Sequence, residues 1–166
     1  MDAGGQSLIR RLTELSQRPE FAGKVALLED YDMVMGRRLV SGVDVWLNNP
    51  RKPREASGTS GQKVAIHGGL NLSVLDGWWP EGFDGTNGFA IGDATAPVSP
   101  REQDARDAQA LYSMLEGQVL PLYYDRGPDG IPHLWVRRVR MAMKTLVGRF
   151  TTYRMVKDYA RLFYEL

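Results

Sequence analysis

A lysine just behind a cluster of glycines and hydroxyls can do chemistry that most lysines cannot, and residues 53–69, PREASGTSGQKVAIHGG, hold one at Lys63. A Gly/Ser/Thr loop feeding a helix aims several backbone N–H groups, and the positive end of the helix dipole, at one spot. That arrangement suits a phosphate. Lys63 then has two chemical uses: as a point charge against the phosphate, or as an amine that condenses with the aldehyde of a phosphorylated cofactor. Glu55, two residues after Pro53, is taken alone a loop acid. Trp78 and Trp79 follow an apolar run and suit core or interdomain packing better than a sugar-stacking platform. His67, beside two glycines at a helix end, suits a cap donor to free carbonyls. His133 reads as a surface residue. Arg137, Arg138, Arg140, Lys144 and Arg149 form either a solvated helix face or a face toward another lobe.

The elements that must position these groups follow from periodicity and punctuation. Leu8, Ile9, Leu12 and Leu15 predict a helix that ends before Pro19. KVALLEDY, residues 24–31, runs from apolar to acidic, the pattern of a strand buried on both faces with acids at its carboxyl end, where open α/β sheets bind ligands. A helix follows from Met33 to Leu39, and Val43, Val45 and Leu47 alternate as a second strand. After the glycine-rich loop comes a short helix closed by Gly68 and Gly69, and then LNLSVL as a third strand ended by Asp76 and Gly77. Residues 77–100 show no sustained period and predict a long irregular segment. Ser99, Pro100 and Glu102 form a helix start, with Ala105, Ala108, Leu111, Leu115 and Val119 as the buried stripe. Trp135, Val136, Val139, Met143 and Leu146 mark another helix. Met155, Val156, Tyr159, Leu162, Phe163 and Leu166 mark the last.

Strand, helix, strand, helix, strand and then helices predict an α/β fold with a parallel sheet. Three strands make a thin sheet against the usual five or six or so, and the first helix looks like the second half of a unit whose strand lies upstream. Composition narrows the function. The chain has 166 residues, 43% of them hydrophobic and 25% charged, enough for one domain, about 1–100 as the α/β part and about 101–166 as a helical tail. A net charge of +1 gives no bulk reason to bind nucleic acid or an anionic membrane. Zero cysteines and two histidines exclude disulfides and argue against cysteine or histidine metal sites. No signal peptide and no apolar run of about 20 residues is present, which predicts a soluble, cytoplasmic protein.

The stretches LEDYDM, GVDVWLNNP, EASGTSGQK, LNLSVLDGWWPEG and LPLYYDRGPDGIP resemble the carboxyl-terminal part of bacterial α-glucan (glycogen) phosphorylases, and the likeness covers essentially the whole chain. It implies part of the carboxyl-terminal Rossmann-like lobe of a two-lobed glycosyltransferase fold of the B type. The implied activity is phosphorolysis of α-1,4-glucan by inorganic phosphate to glucose 1-phosphate, with pyridoxal 5'-phosphate as cofactor and a homo-oligomeric parent enzyme. Lys63 matches the family's Schiff-base lysine, expected here to be partly buried so that it sheds its charge easily. Gly58, Thr59 and Ser60 would face the cofactor phosphate and the nearby inorganic phosphate, and Tyr31 would lie beside the cofactor. Glu55, Ala56, Ser57 and Gly58 match positions that hold the glucose ring, and Glu55 joins Lys63 as a candidate for catalysis. Asp32 stands where animal enzymes carry a basic residue, and no contact is transferred to it. Gln62 replaces a common methionine and His67 a common asparagine. The family's phosphate-binding arginine and lysine, its active-site histidine and its amino-terminal lobe would all precede residue 1. The segment alone is therefore expected to be inactive, with apolar faces on its last two helices left exposed.

Overall fold

The computed structural model describes residues 2–93 and 99–164, which fall into two compact units, 1–36 and 37–166. The first unit contains α1 (Ala3–Ser16), whose first turn is closed by the Asp2 carboxylate accepting from the Gly5 amide at 2.9 Å. None of its residues is buried. Helix α2 (Met33–Gly42) starts where Asp32 accepts the Met35 amide at 2.7 Å, so Asp32 has a capping role.

Residues 24–31 do not form the predicted strand. Val25, Leu27 and Leu28 are between 42% and 50% exposed, and residues 25–29 make no backbone hydrogen bond with any described residue. An extended apolar run becomes a strand only when a neighbouring backbone completes its ladder.

The second unit is built on a three-stranded parallel sheet in the order β1 (Val45–Asn48), β2 (Leu70–Val74), β3 (Phe89–Ile91). Leu72 lies opposite Leu47 on one side and Phe89 on the other. Every residue of the central strand is buried, as expected of a parallel strand covered on both faces. Helix α3 (Thr59–Ile66) crosses from β1 to β2 and inserts Val64 and Ala65 into the interior. It ends as expected, with Gly68 at φ 86° and the amide of His67 returning to the Val64 carbonyl. His67 thus caps through its backbone, and its side chain is exposed.

The segment 77–100 is more ordered than its sequence suggests. It holds a single helical turn, α4 (Trp79–Gly82), and the third strand itself. Two buried side chains fix it. The Trp79 indole donates to the Phe89 carbonyl at 3.1 Å, and Asn87 donates to the Gly82 carbonyl and to Thr145 Oγ1. These bonds span five, ten and 58 residues, so no local period betrays them. Residues 94–98 of this segment, and Leu166 of the last predicted stripe, lie outside the described residues.

Helix α5 (Pro100–Met114) begins as expected at Ser99, whose hydroxyl accepts the Glu102 amide. It continues through a π-helical turn, Leu115–Val119, into α6 (Leu120–Tyr124). The inward stripe departs from the expected one. Ala105 and Ala108 are exposed, while Gln103 is buried and Ala110, Leu111, Met114 and Leu115 pack on the core with Val119. Gln103 is drawn inward by a polar partner described below, which sets the inward face of α5 ahead of the π-helical turn.

Helix α7 (His133–Ala142) runs into a second π-helical turn, Met143–Val147, and buries Trp135, Ala142 and Leu146, though Met143 is exposed. Trp135 packs edge-on to Tyr123, and Arg138 lies over the Phe89 ring while donating to the Gly88 carbonyl. Helix α8 (Thr152–Phe163) carries its apolar stripe but buries no residue; Tyr159, Leu162 and Phe163 are more than half exposed. His133 is exposed and pairs with Asp129.

Candidate functional site

The loop between β1 and α3 carries most of the candidate residues, and three other elements hold it. At its start the Arg51 guanidinium forks onto the Asp104 carboxylate of α5, with Nε at 2.9 Å and a terminal nitrogen at 2.6 Å. That hydrogen bond and the adjacent charge hold Arg51 above the ordinary guanidinium value. One residue on, the buried Gln103 amide donates to the Lys52 carbonyl at 3.1 Å. This bond explains why a glutamine occupies the inner face of α5.

Further along, the turn after β2 takes over. The Asp76 carboxylate accepts the Glu55 amide at 2.9 Å, and the Trp78 amide donates to the Ser57 carbonyl at 2.8 Å. Gly58 then turns the chain at φ 82°, a left-handed conformation that glycine adopts without strain. A β-carbon on Gly58 would stand 3.4 Å from both Glu55 Oε1 and the Trp78 indole, so the Glu55 carboxylate lies folded beside this glycine.

Helix α3 starts at Thr59. Its first amides point out of the helix, and those of Thr59 and Ser60 meet no acceptor among the described residues. Two such donors at the positive end of a helix have the geometry that suits an anion. The helix is fixed from behind. Asn71, buried in β2, donates to the Gly61 carbonyl at 2.9 Å, and a β-carbon on Gly61 would collide with Asn71 Oδ1 and crowd the Trp78 indole. Trp78 and Trp79 are thus packing residues, 5% and 0% exposed.

Lys63 lies four residues after Thr59 and therefore on the same face of α3. It is exposed rather than partly buried, because the helix turns its other face, Gly61, Val64 and Ala65, to the sheet. Glu55 and Ser60 are half-buried, and Ala56, Ser57 and Thr59 are exposed. Residues 55–60 and Lys63 are thus exposed or half-buried, while Gly61 between them is buried. Tyr31 belongs to the first unit, where it is 61% exposed and its phenol lies against Gly36.

A cavity of about 330 Å³ opens at the carboxyl ends of β2 and β3 and is walled by α5. Of the loop residues only Lys52 reaches it, and neither Glu55 nor Lys63 lines it, so the donor chemistry rather than this cavity marks the candidate site. Among the described residues no three His, Asp or Glu side chains are placed to hold a metal ion, and no helix is long and apolar enough to cross a membrane. Sequence reasoning overlooked Asp76, Asn71 and Gln103 as supports of this loop. Asp76 was legible as a turn residue only; the polar residues inside apolar stretches, Asn71 within LNLSVL above all, were the available signal.

No protein-family profile matches the chain. Curated relatives do. The chain is 47% identical over 164 residues to the maltodextrin phosphorylase of Thermococcus litoralis, covering 99% of this chain and 19% of that protein. It is 45% identical to the glycogen phosphorylase of Aquifex aeolicus, covering 99% of this chain and 23% of the relative. The glycogen phosphorylase of Mycobacterium bovis is 45% identical over 163 residues, with 98% and 19% covered. The chain thus spans about a fifth of the length of the curated relatives it matches. Among solved structures, Anabaena Alr3699/HepE in complex with UDP-glucose aligns with a TM-score of 0.51 at 15% identity, over 96% of this chain and 38% of that one. That likeness concerns the fold, and agrees with a Rossmann-like lobe of a B-type glycosyltransferase. Over essentially its whole length, this chain is a homologue of one segment of the glycogen and maltodextrin phosphorylases.

Proposed function

We propose that this chain supplies the cofactor-holding part, and a share of the glucose and phosphate site, of an α-1,4-glucan phosphorylase that releases glucose 1-phosphate. The observation that carries the reading is the joint presence of two acceptor-free amides at the start of α3 and the Lys63 amine one turn on, within a segment 45–47% identical to phosphorylases. This donor set fits pyridoxal 5'-phosphate. The Thr59 and Ser60 amides, with Gly58 leaving room above them, suit the cofactor phosphate and the substrate phosphate. The Lys63 amine, exposed to solvent, is accessible to an aldehyde. When bound, the cofactor supplies a phosphate group that exchanges a proton with the substrate phosphate.

The chain's own residues bind and orient. The Glu55 carboxylate accepts hydrogen bonds from a glucose hydroxyl, and the backbone and hydroxyl of residues 56–58 complete that contact. Lys63, one helical turn from those amides, would anchor the cofactor at its aldehyde while the amides would take its phosphate. Turnover also requires a cationic clamp on the incoming phosphate and a cleft that excludes water. Arg51 offers no such clamp, because it is committed to Asp104. The 166 residues alone are therefore proposed to hold cofactor without producing glucose 1-phosphate from maltodextrin.

The test is borohydride trapping of the chain incubated with pyridoxal phosphate, followed by peptide mapping. Label confined to Lys63, and lost in Lys63→Ala, supports the proposal. Label spread over other lysines, or unchanged in Lys63→Ala, overturns it.

A further inference from the structure

We infer that Asp76 is a positioning residue for Glu55 and, through it, for the sugar-facing loop 55–58; the inference rests on Glu55 being the glucose contact proposed above. Residues 55–57 have no regular secondary structure, and two backbone hydrogen bonds hold them among the described residues. Both come from the turn after β2. At one end the Asp76 carboxylate accepts the Glu55 amide at 2.9 Å, and at the other the Trp78 amide donates to the Ser57 carbonyl at 2.8 Å. The two bonds join residues 55 and 57 to residues 76 and 78, with one pointing into the turn and the other out of it. Such a pair fixes the rotation of the loop as well as its position.

Gly77 lies between them at φ 57°, and a β-carbon there would overlap the Ser57 carbonyl oxygen and stand 2.9 Å from Glu55 Cγ. The turn therefore passes close to the stem of the Glu55 side chain, whose carboxylate lies beside Gly58. Asp76 is itself well anchored. It follows the fully buried β2, its amide returns to the Val74 carbonyl at 2.8 Å, and its own carbonyl accepts from Trp79 at 3.2 Å. The buried strand thus reaches the irregular loop 55–57 through the Asp76 carboxylate and the Trp78 amide. An ionised acceptor suits this task because a charge-assisted bond is shorter and stronger than a neutral one.

The test uses the 166-residue chain with Asp76→Ala, Asp76→Asn and Glu55→Gln. In D76A, amide hydrogen exchange at Glu55 is expected to quicken by about tenfold or more, and in D76N, which keeps an acceptor, to stay within about threefold. The β2 amides should be unchanged in both. If D76A does not fold, Asp76→Ser, whose hydroxyl stops short of the Glu55 amide, takes its place. Glu55 exchange as slow in the substituted chain as in the parent overturns the inference. So does equal loss of protection in β2, which marks a purely structural role.

Glucose 1-phosphate binding, followed by ligand-observed NMR, reads the consequence. Affinity should fall about tenfold in D76A and in E55Q, no further in the double variant, and stay near parental in D76N. A double variant as weak as the product of the two single losses overturns positioning through Glu55. No binding to the parent, or binding unmoved by E55Q, overturns the sugar reading of Glu55 instead, which the exchange data distinguish from failure of Asp76 as a support.

Discussion

Residues 25–28 and Leu70–Val74 are both short, largely apolar runs, yet one lacks regular structure and is exposed while the other is the buried centre of a sheet. Hydrophobicity does not separate them. Backbone partners do: β2 pairs on both sides, with Leu72 opposite Leu47 and Phe89, whereas residues 25–29 have no ladder among the described residues. The last two helices repeat the lesson. α7 with its π-helical turn buries Trp135, Ala142 and Leu146, and the more strongly amphipathic α8 buries nothing. An apolar pattern states what an element needs to cover. It does not say whether the covering surface is present.

The sharpest way to break this contrast is truncation in the two runs. Leu72→Ala, at 0% exposure, should lower unfolding free energy by about 2–5 kcal/mol, and Leu27→Ala should change it by about 0.5 kcal/mol or less. Urea denaturation measures both, and comparable losses would erase the distinction. Next in size is Asn71→Ala, which removes the donor to the Gly61 carbonyl at the start of α3. A loss of about 1–3 kcal/mol is expected, together with faster amide exchange in α3. An unchanged α3 would show that the candidate loop does not depend on its buried support.

Helix caps sharpen the contrast between integrated and uncovered helices. Ser99→Ala removes the acceptor for Glu102 and should lower global stability by about 1 kcal/mol. Thr151→Ala removes the equivalent acceptor for Arg154, but α8 buries nothing, so the expected result is local fraying seen by amide exchange with little shift in the denaturation midpoint. A midpoint shift equal to that of S99A would mean that α8 is coupled to the core. Smallest of all, Leu162→Gln with Phe163→Gln should change stability by about 0.5 kcal/mol or less. The same pair should reduce self-association in sedimentation, since an exposed apolar face favours it. Core-sized destabilisation would contradict the exposure of these two side chains.

The local features were legible where the physics is local. Ser99 at the start of α5, Gly68 at the end of α3, and the buried run at LNLSVL follow from capping geometry, left-handed glycine and hydrophobic burial, each acting over a few residues. The third strand was hidden because Phe89–Ile91 is only three residues long and is held by the Trp79 indole on the Phe89 carbonyl and by Arg138 over the Phe89 ring. Gln103 was hidden because its partner, the Lys52 carbonyl, is 51 residues away. For the candidate site, residue types and order in EASGTSGQK pointed to a glycine-led helix start with a lysine beyond it, and the structure starts α3 at Thr59 after Gly58 with Lys63 four residues on.

By itself, then, the sequence determined the parallel α/β character of the sheet region, the glycine-led entry into α3, and the kinship of the segment, since each rests on residue identity and short spacing. Only the tertiary structure decided which apolar runs find partners, that Lys63 faces solvent, and that Glu55 is held by Asp76. Those outcomes depend on contacts between residues far apart along the chain, which a periodic pattern does not encode.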